Sequence, residues 1–163
     1  MITTVEGVTL TGVYATDEVP ASTLPIGTGP AQGYRTLLRV VVPVTAGDVL
    51  DVIGRARVTN DTDPGYTVGV GYHLWAYDAD SGQGSSGPWT RISSYCGDNV
   101  DRTRHHMPLI VDTVYTVPDD WPTGHRIVVV LRGDAMSTRA DGQSITVDKA
   151  YGQLTVRRYT PTA

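Results

Sequence analysis

Phenylalanine is absent from these 163 residues, lysine occurs once (Lys149), glutamate twice (Glu6 and Glu18) and cysteine once (Cys96). A single cysteine excludes an internal disulfide and a multi-cysteine zinc site. Nothing around Cys96 reads as a nucleophile signature, so it is expected to be an inert, partly buried thiol. No apolar run approaches the roughly 20 residues that a membrane-spanning helix needs. The opening Met1–Gly7 has no basic region leading into an apolar stretch, so no signal peptide and no membrane association are expected. The formal charge is −4 and no block of like charge stands out, which argues against a nucleic-acid partner.

The charged residues present are skewed: twelve arginines stand against one lysine, and fifteen aspartates against two glutamates. Lysine and phenylalanine have AT-rich codons, so the hypothesis is a GC-rich source genome; a measured low GC content of the gene would contradict it. Poverty in Glu and Lys beside abundant Val, Thr, Gly and Tyr also disfavours helices and favours strands.

Two alternating segments carry the clearest signal, Asp48–Asn60 and Tyr66–Asp78, joined by Asp61-Thr62-Asp63-Pro64-Gly65. Leu50, Val52, Gly54, Ala56 and Val58 share one face of the first. Tyr66, Val68, Val70, Tyr72, Leu74 and Ala76 share one face of the second. A period of two means strands with one buried side. Pro64-Gly65 supplies a reversal, so the pair is expected to form a hairpin. Opposite the apolar face of the second segment lie Gly69, Gly71, His73, Trp75 and Tyr77. Glycines beside aromatics make a surface that another backbone can approach closely. This face is expected to be covered by a neighbouring subunit or by a long loop of the same chain.

Further strands are expected at Ile2–Val13, Arg35–Val44, Trp89–Tyr95, Leu109–Val117, Ser144–Asp148 and Tyr151–Tyr159. Tyr14 to Gly33 reads as a long Pro/Gly loop, Asp80–Pro88 as a flexible Gly/Ser loop and Cys96–Met107 as a polar connection. His125–Gly133 is almost all Val, Ile and Leu, which implies burial on both faces or a central position in its sheet. No stretch sustains a 3.6-residue period, and no repeat of solenoid length occurs. Eight or nine strands point to an all-β, antiparallel two-sheet sandwich of jelly-roll type. An immunoglobulin-like sandwich is the alternative, although its Cys, Trp, Cys spacing is missing. One domain is expected, with residues 1–34 a strand and loop that could serve as a docking arm and residues 35–163 the sandwich.

Candidate chemistry is sparse. His73, His105, His106 and His125 lack the His-x-His spacing and downstream glutamate of a strand-borne metal site, so His105 and His106 read as structural or intersubunit residues. Asn60-Asp61-Thr62-Asp63 and Asp78-Ala79-Asp80 have acidic spacing that calcium could use, but turn formation explains both, and no cofactor is expected. No Gly-x-Ser-x-Gly elbow and no phosphate-cradling loop occur, and no enzyme is expected. Arg132-Gly133-Asp134 spells an adhesion tripeptide that continues a strand into a turn. Trp75, Trp89 and Trp121 could stack on sugar rings, although without phenylalanine they must also serve core and interface roles. Tyr34, Arg35 and Trp89 are the candidate ligand or partner contacts; Gly69, Gly71, His73, Trp75, His105 and His106 are the candidate subunit interface.

Several stretches together carry a resemblance: Val44-Thr45-Ala46-Gly47-Asp48-Val49-Leu50, Val58-Thr59-Asn60-Asp61, Val68-Gly69-Val70-Gly71, His105-His106-Met107-Pro108-Leu109, Tyr115-Thr116-Val117-Pro118, Ala135-Met136-Ser137-Thr138, and Thr146 through Val156. They resemble small jelly-roll virion proteins of tailed phages of high-GC actinobacteria, over most of residues 35–159. The last strand, ending in Leu-x-Val, also looks like trimeric tumour-necrosis-factor-like jelly rolls at virion surfaces. The resemblance implies a homotrimeric, non-catalytic virion component. It would be a capsid decoration protein contacting the major capsid protein, or a minor tail or fibre-associated protein. It would be made in the host cytoplasm and released by lysis. A carbohydrate or host-surface binding module is the rival reading.

Overall fold

The computed structural model describes residues 7–17, 23–27, 34–62, 66–101, 103, 107–137, 143–148 and 151–162. Alternation of β-branched and polar residues produces eleven strands: β1 (Val8–Thr16), β2 (Thr23–Gly27), β3 (Arg35–Pro43), β4 (Val49–Thr59), β5 (Val68–Asp78), β6 (Thr90–Arg91), β7 (Cys96–Val100), β8 (Met107–Thr116), β9 (Arg126–Met136), β10 (Ser144–Val147) and β11 (Gln153–Pro161). No α-helix occurs among the described residues, and a 3-10 turn spans Gly84–Ser86.

The strands form two layers. In the first, β1, β11, β4 and β8 lie side by side, all antiparallel, and β10 continues along β4 beyond the end of β11. In the second, β9 is central, between β3 and β5, and β5 carries β7 and β6 on its far edge. β2 joins the layers, pairing antiparallel with β10 and parallel with β9, so the strands form one curled eleven-stranded sheet. The sandwich is as expected, but its strand count is higher and one pairing is parallel. β2 falls inside the segment read as a long loop, where Leu24 and Ile26 drop into the core around Pro25. β7 falls inside the segment read as a polar connection.

The expected hairpin is not formed. Among the described residues, β4 bonds only β8, β10 and β11, while β5 bonds only β6, β7 and β9. The two segments face each other across the core: a methyl group at Gly54 would lie 3.0 Å from Leu131 Cδ1 and 3.1 Å from Leu74 Cδ2. Their matched alternation reflects two sheets burying the same kind of face, which is what sandwich packing demands. The chain therefore changes layers between them, and Asn60 braces the crossing. Its buried side chain donates through Nδ2 to the Tyr66 carbonyl at 2.6 Å and to the Val100 carbonyl at 2.8 Å. Its Oδ1 accepts from Thr62 N at 3.0 Å and Thr62 Oγ1 at 2.7 Å. The Pro64-Gly65 turn lies outside the described residues.

Where β4 begins, Gly47 takes φ +82° to close the Thr45–Asp48 turn. The fully buried Asp48 accepts from Thr45 N at 2.7 Å and from Arg158 Nε of β11 at 2.6 Å, tying that turn to the neighbouring strand. The central strand β9 is buried along most of its length, as its apolar run implied, and extends to Met136. Arg132-Gly133-Asp134 is thus strand, not the start of a turn. Gly133 faces the core beneath Leu37, Tyr72 and Leu24, so Arg132 and Asp134 face outward.

Candidate functional site

The outward face of the second layer is built by register. Gly69, Gly71, His73, Trp75 and Tyr77 of β5 stand beside Met136, Asp134, Arg132, Val130 and Val128 of β9. Polar and aromatic residues alternate there with the core set because neighbouring strand residues point to opposite sides. Side chains from the connections close over this surface. The Tyr95 ring lies flat across Gly71 and Gly97, where any side chain at either glycine would enter the ring. Tyr95 also packs against His73 with centroids 4.9 Å apart. Tyr34, just before β3, bonds His73 Nε2 through its hydroxyl at 3.1 Å and meets Trp75 edge to face at 6.5 Å.

Arg132 sits among these rings. Its guanidinium carbon is 5.1 Å from the centre of Tyr34, 5.7 Å from Trp75 and 4.9 Å from Trp89. Trp89 is itself fixed, stacked on Tyr77 at 4.6 Å and donating from Nε1 to the Ser85 carbonyl at 2.8 Å. The Gly/Ser loop read as flexible is therefore tied to the sheet through this indole. Beyond Tyr77, a depression of about 310 Å³ is lined by Arg39, Val41, Tyr77 and Val128, among others.

The electrostatics of this face are unbalanced. Among the described residues, six buried side-chain polar atoms lack a hydrogen-bond partner, and four are here: His73 Nδ1, Trp75 Nε1, Arg132 Nε and Asp134 Oδ1. Burial pushes the Asp134 carboxyl up and the Arg132 guanidinium down, and the arginine remains cationic. Burial also holds His73 below its ordinary value, with Arg91 and Arg132 adding to the effect. Tyr34 is raised by burial and by Asp134, against the opposing influence of Arg132 and Arg91. Arg39, Arg91 and Arg132 form no ion pair among the described residues, so an acidic protein carries a locally positive face here.

Of the residues singled out from sequence, Gly69, Gly71, His73 and Trp75 share this strand face, and Tyr34 and Trp89 join it. His73 and Gly71 are buried by the chain's own Tyr34 and Tyr95, so a partner would meet those rings first. Arg35 is exposed at the start of β3, donates from Nη1 to the Tyr34 carbonyl and takes no part in the ring contacts. His105 and His106 lie outside the described residues. Sequence reasoning missed Arg132, Asp134 and Tyr95. Continuing the alternation of β9 past Gly133 would have found the first two. The loops' acidic oxygens are engaged: Asp78 Oδ1 accepts from Asp80 N and Oδ2 meets His125 Nδ1 at 2.8 Å, while Asp80 forks with Arg126. Among the described residues, no three of His, Cys, Asp and Glu converge as a metal site would require.

The opposite surface, the outer face of the first layer, has a different character. Register aligns Val114, Asp51, Arg157 and Val13 in one row across β8, β4, β11 and β1, with Asp51 and Arg157 paired at 2.9 Å in the middle. Val13, Ile110 and Val114 on this face are 59%, 57% and 69% exposed. Beside Ile110, a depression of about 490 Å³ is lined by Arg55, Arg57, Pro108 and Tyr151, with Arg57 stacked 3.2 Å above the Tyr151 ring.

The sequence matches no family model and no curated protein. Solved structures superpose on this chain to differing degrees. A chain of infectious bursal disease virus, Gx strain, superposes with a TM-score of 0.54 at 12% identity, over 95% of this chain and 39% of the virus chain. A chain of the Gt strain gives 0.47 at 13% identity, over 93% and 38%. The CBM22-1 xylan-binding domain of Paenibacillus barcinonensis Xyn10C gives 0.38 at 13% identity, over 98% and 90%. This chain thus spans about two fifths of the virus chains it matches, and at 12% identity the likeness to the Gx-strain chain is one of fold.

Proposed function

We propose that this protein is a non-enzymatic virion component of a tailed phage, a decoration protein that acts by packing the outer face of its first layer against copies of itself and the capsid shell. The observation that carries this reading is the row Val114, Asp51, Arg157, Val13 with Ile110 nearby: three exposed aliphatic side chains around an ion pair on one sheet face. Aliphatic surface of this kind favours association when covered, and charges set among it fix register more than they add affinity. The sandwich fold shared with a virus chain over 95% of this sequence is compatible with that role. The sequence resemblance to actinobacteriophage jelly-roll proteins supplies the more specific setting, with a homotrimer as the working assembly. Association stabilises a shell by mass action, since every contact made only in the assembled state shifts the equilibrium toward it.

Quantitative mass spectrometry of purified particles tests the proposal. Copies in the hundreds per particle support decoration, and a handful supports a tail or fibre position. Absence from purified particles removes the virion reading.

A further inference from the structure

The strip of rings and arginines on the second layer has no role in the contact proposed above, and its chemistry is that of a ligand site. Arg132 Nε–H and Trp75 Nε1–H are two donors without acceptors, and among the described residues the Arg132 guanidinium has no carboxylate partner. Asp134, 3% exposed, offers Oδ1 without a donor two residues along the same face. A buried donor or acceptor left unpaired is costly, so a molecule that completes these groups gains binding energy from each. A carboxylate answers the paired donors and the arginine. A hydroxyl answers Asp134 Oδ1. Tyr34, Trp75, Trp89 and Tyr95 supply apolar ring surface around both.

We propose that this face binds an acidic sugar, a uronate-type unit that places its carboxylate at Arg132 and Trp75 and a hydroxyl at Asp134. Tyr95, 46% exposed and resting on the side-chain-free shelf of Gly71 and Gly97, is the ring that moves to admit it. Arg91 and Arg39 extend the positive strip on either side, so a chain of such sugars gains more than a single unit. A neutral sugar leaves the guanidinium unanswered and is selected against.

Isothermal titration calorimetry of the 163-residue chain with trigalacturonate, beside neutral xylotriose, tests this. Trigalacturonate is expected to bind, with affinity falling as salt rises, and xylotriose to bind at least about tenfold more weakly. Arg132→Gln and Trp75→Phe, each confirmed folded by its urea midpoint, should each weaken trigalacturonate about tenfold. Asp119→Asn, in the exposed turn before β9, should leave it unchanged. The proposal fails if the native protein binds neither sugar, if it binds both equally, or if both folded variants bind as the native does. It also fails if Arg132→Gln changes only the oligomeric state in light scattering, because the face would then be a contact between copies.

Discussion

Asn60→Ala should be among the most damaging substitutions of a polar residue in this protein. The side chain is fully buried and makes four hydrogen bonds, to the carbonyls of Tyr66 and Val100 and from the amide and hydroxyl of Thr62. At about 1 kcal/mol net per bond the gross loss is about 4 kcal/mol. Water can reach the Tyr66 end, which is only partly buried, and this reduces the expected loss to about 3 kcal/mol. In a chain of 163 residues that corresponds to a fall in Tm of roughly 6–12 °C. Urea titration followed by tryptophan fluorescence measures it, with an unchanged slope showing that the native state keeps its compactness. Asn60→Asp sharpens the test, since at neutral pH it sets acceptor-only oxygens against two carbonyls now held at 2.6 and 2.8 Å. It should be at least as destabilising as alanine at pH 7 and recover partly in acid, where a protonated carboxyl regains one donor. A loss below about 1 kcal/mol for alanine, or an aspartate variant more stable than alanine at pH 7, would refute the reading of Asn60 as the brace of the layer crossing.

Gly71→Ala should displace the Tyr95 ring and cost roughly 1–3 kcal/mol, but little in a Tyr95→Ala background; a double-mutant cycle should give a coupling of at least about 1 kcal/mol. Arg158→Met strips the partner from fully buried Asp48 and should cost about 3 kcal/mol or more by denaturant titration, with Asp48→Asn in the same chain restoring part of it. Burial raises the Asp134 pKa in the folded state, so the folded protein binds the proton more tightly than the unfolded chain. Its contribution therefore weakens stability as pH rises from the unfolded value through the raised one. Asp134→Asn should flatten that decline in urea midpoints measured from pH 4 to 8.

Alternation in Asp48–Asn60 and Tyr66–Asp78 revealed which residues are buried, because a period of two marks a face. It could not reveal that β4 and β5 lie in different layers, because the same period serves a strand's neighbour and the strand opposite it. β2 escaped notice because five residues holding a proline carry little periodic signal, and its pairing with β9 and β10 is fixed by distant partners. β7 escaped because Cys96-Gly97-Asp98-Asn99 has almost no apolar face; it is an edge strand held through its backbone. The same limit shaped the site. His73 and Trp75 could be placed on one face from β5 alone, whereas bringing Arg132 and Asp134 beside them needed the β5–β9 register. Tyr95 needed the path of a connection, which periodicity does not encode.

Electron cryomicroscopy of purified particles, at a resolution that shows side chains, tests whether the protein works through the outer face of its first layer. The expected density is a β-sandwich on the particle surface with Val13, Ile110 and Val114 covered by a neighbouring copy or by the shell. Particles in which that face meets only solvent on every copy would rule out the proposed contact.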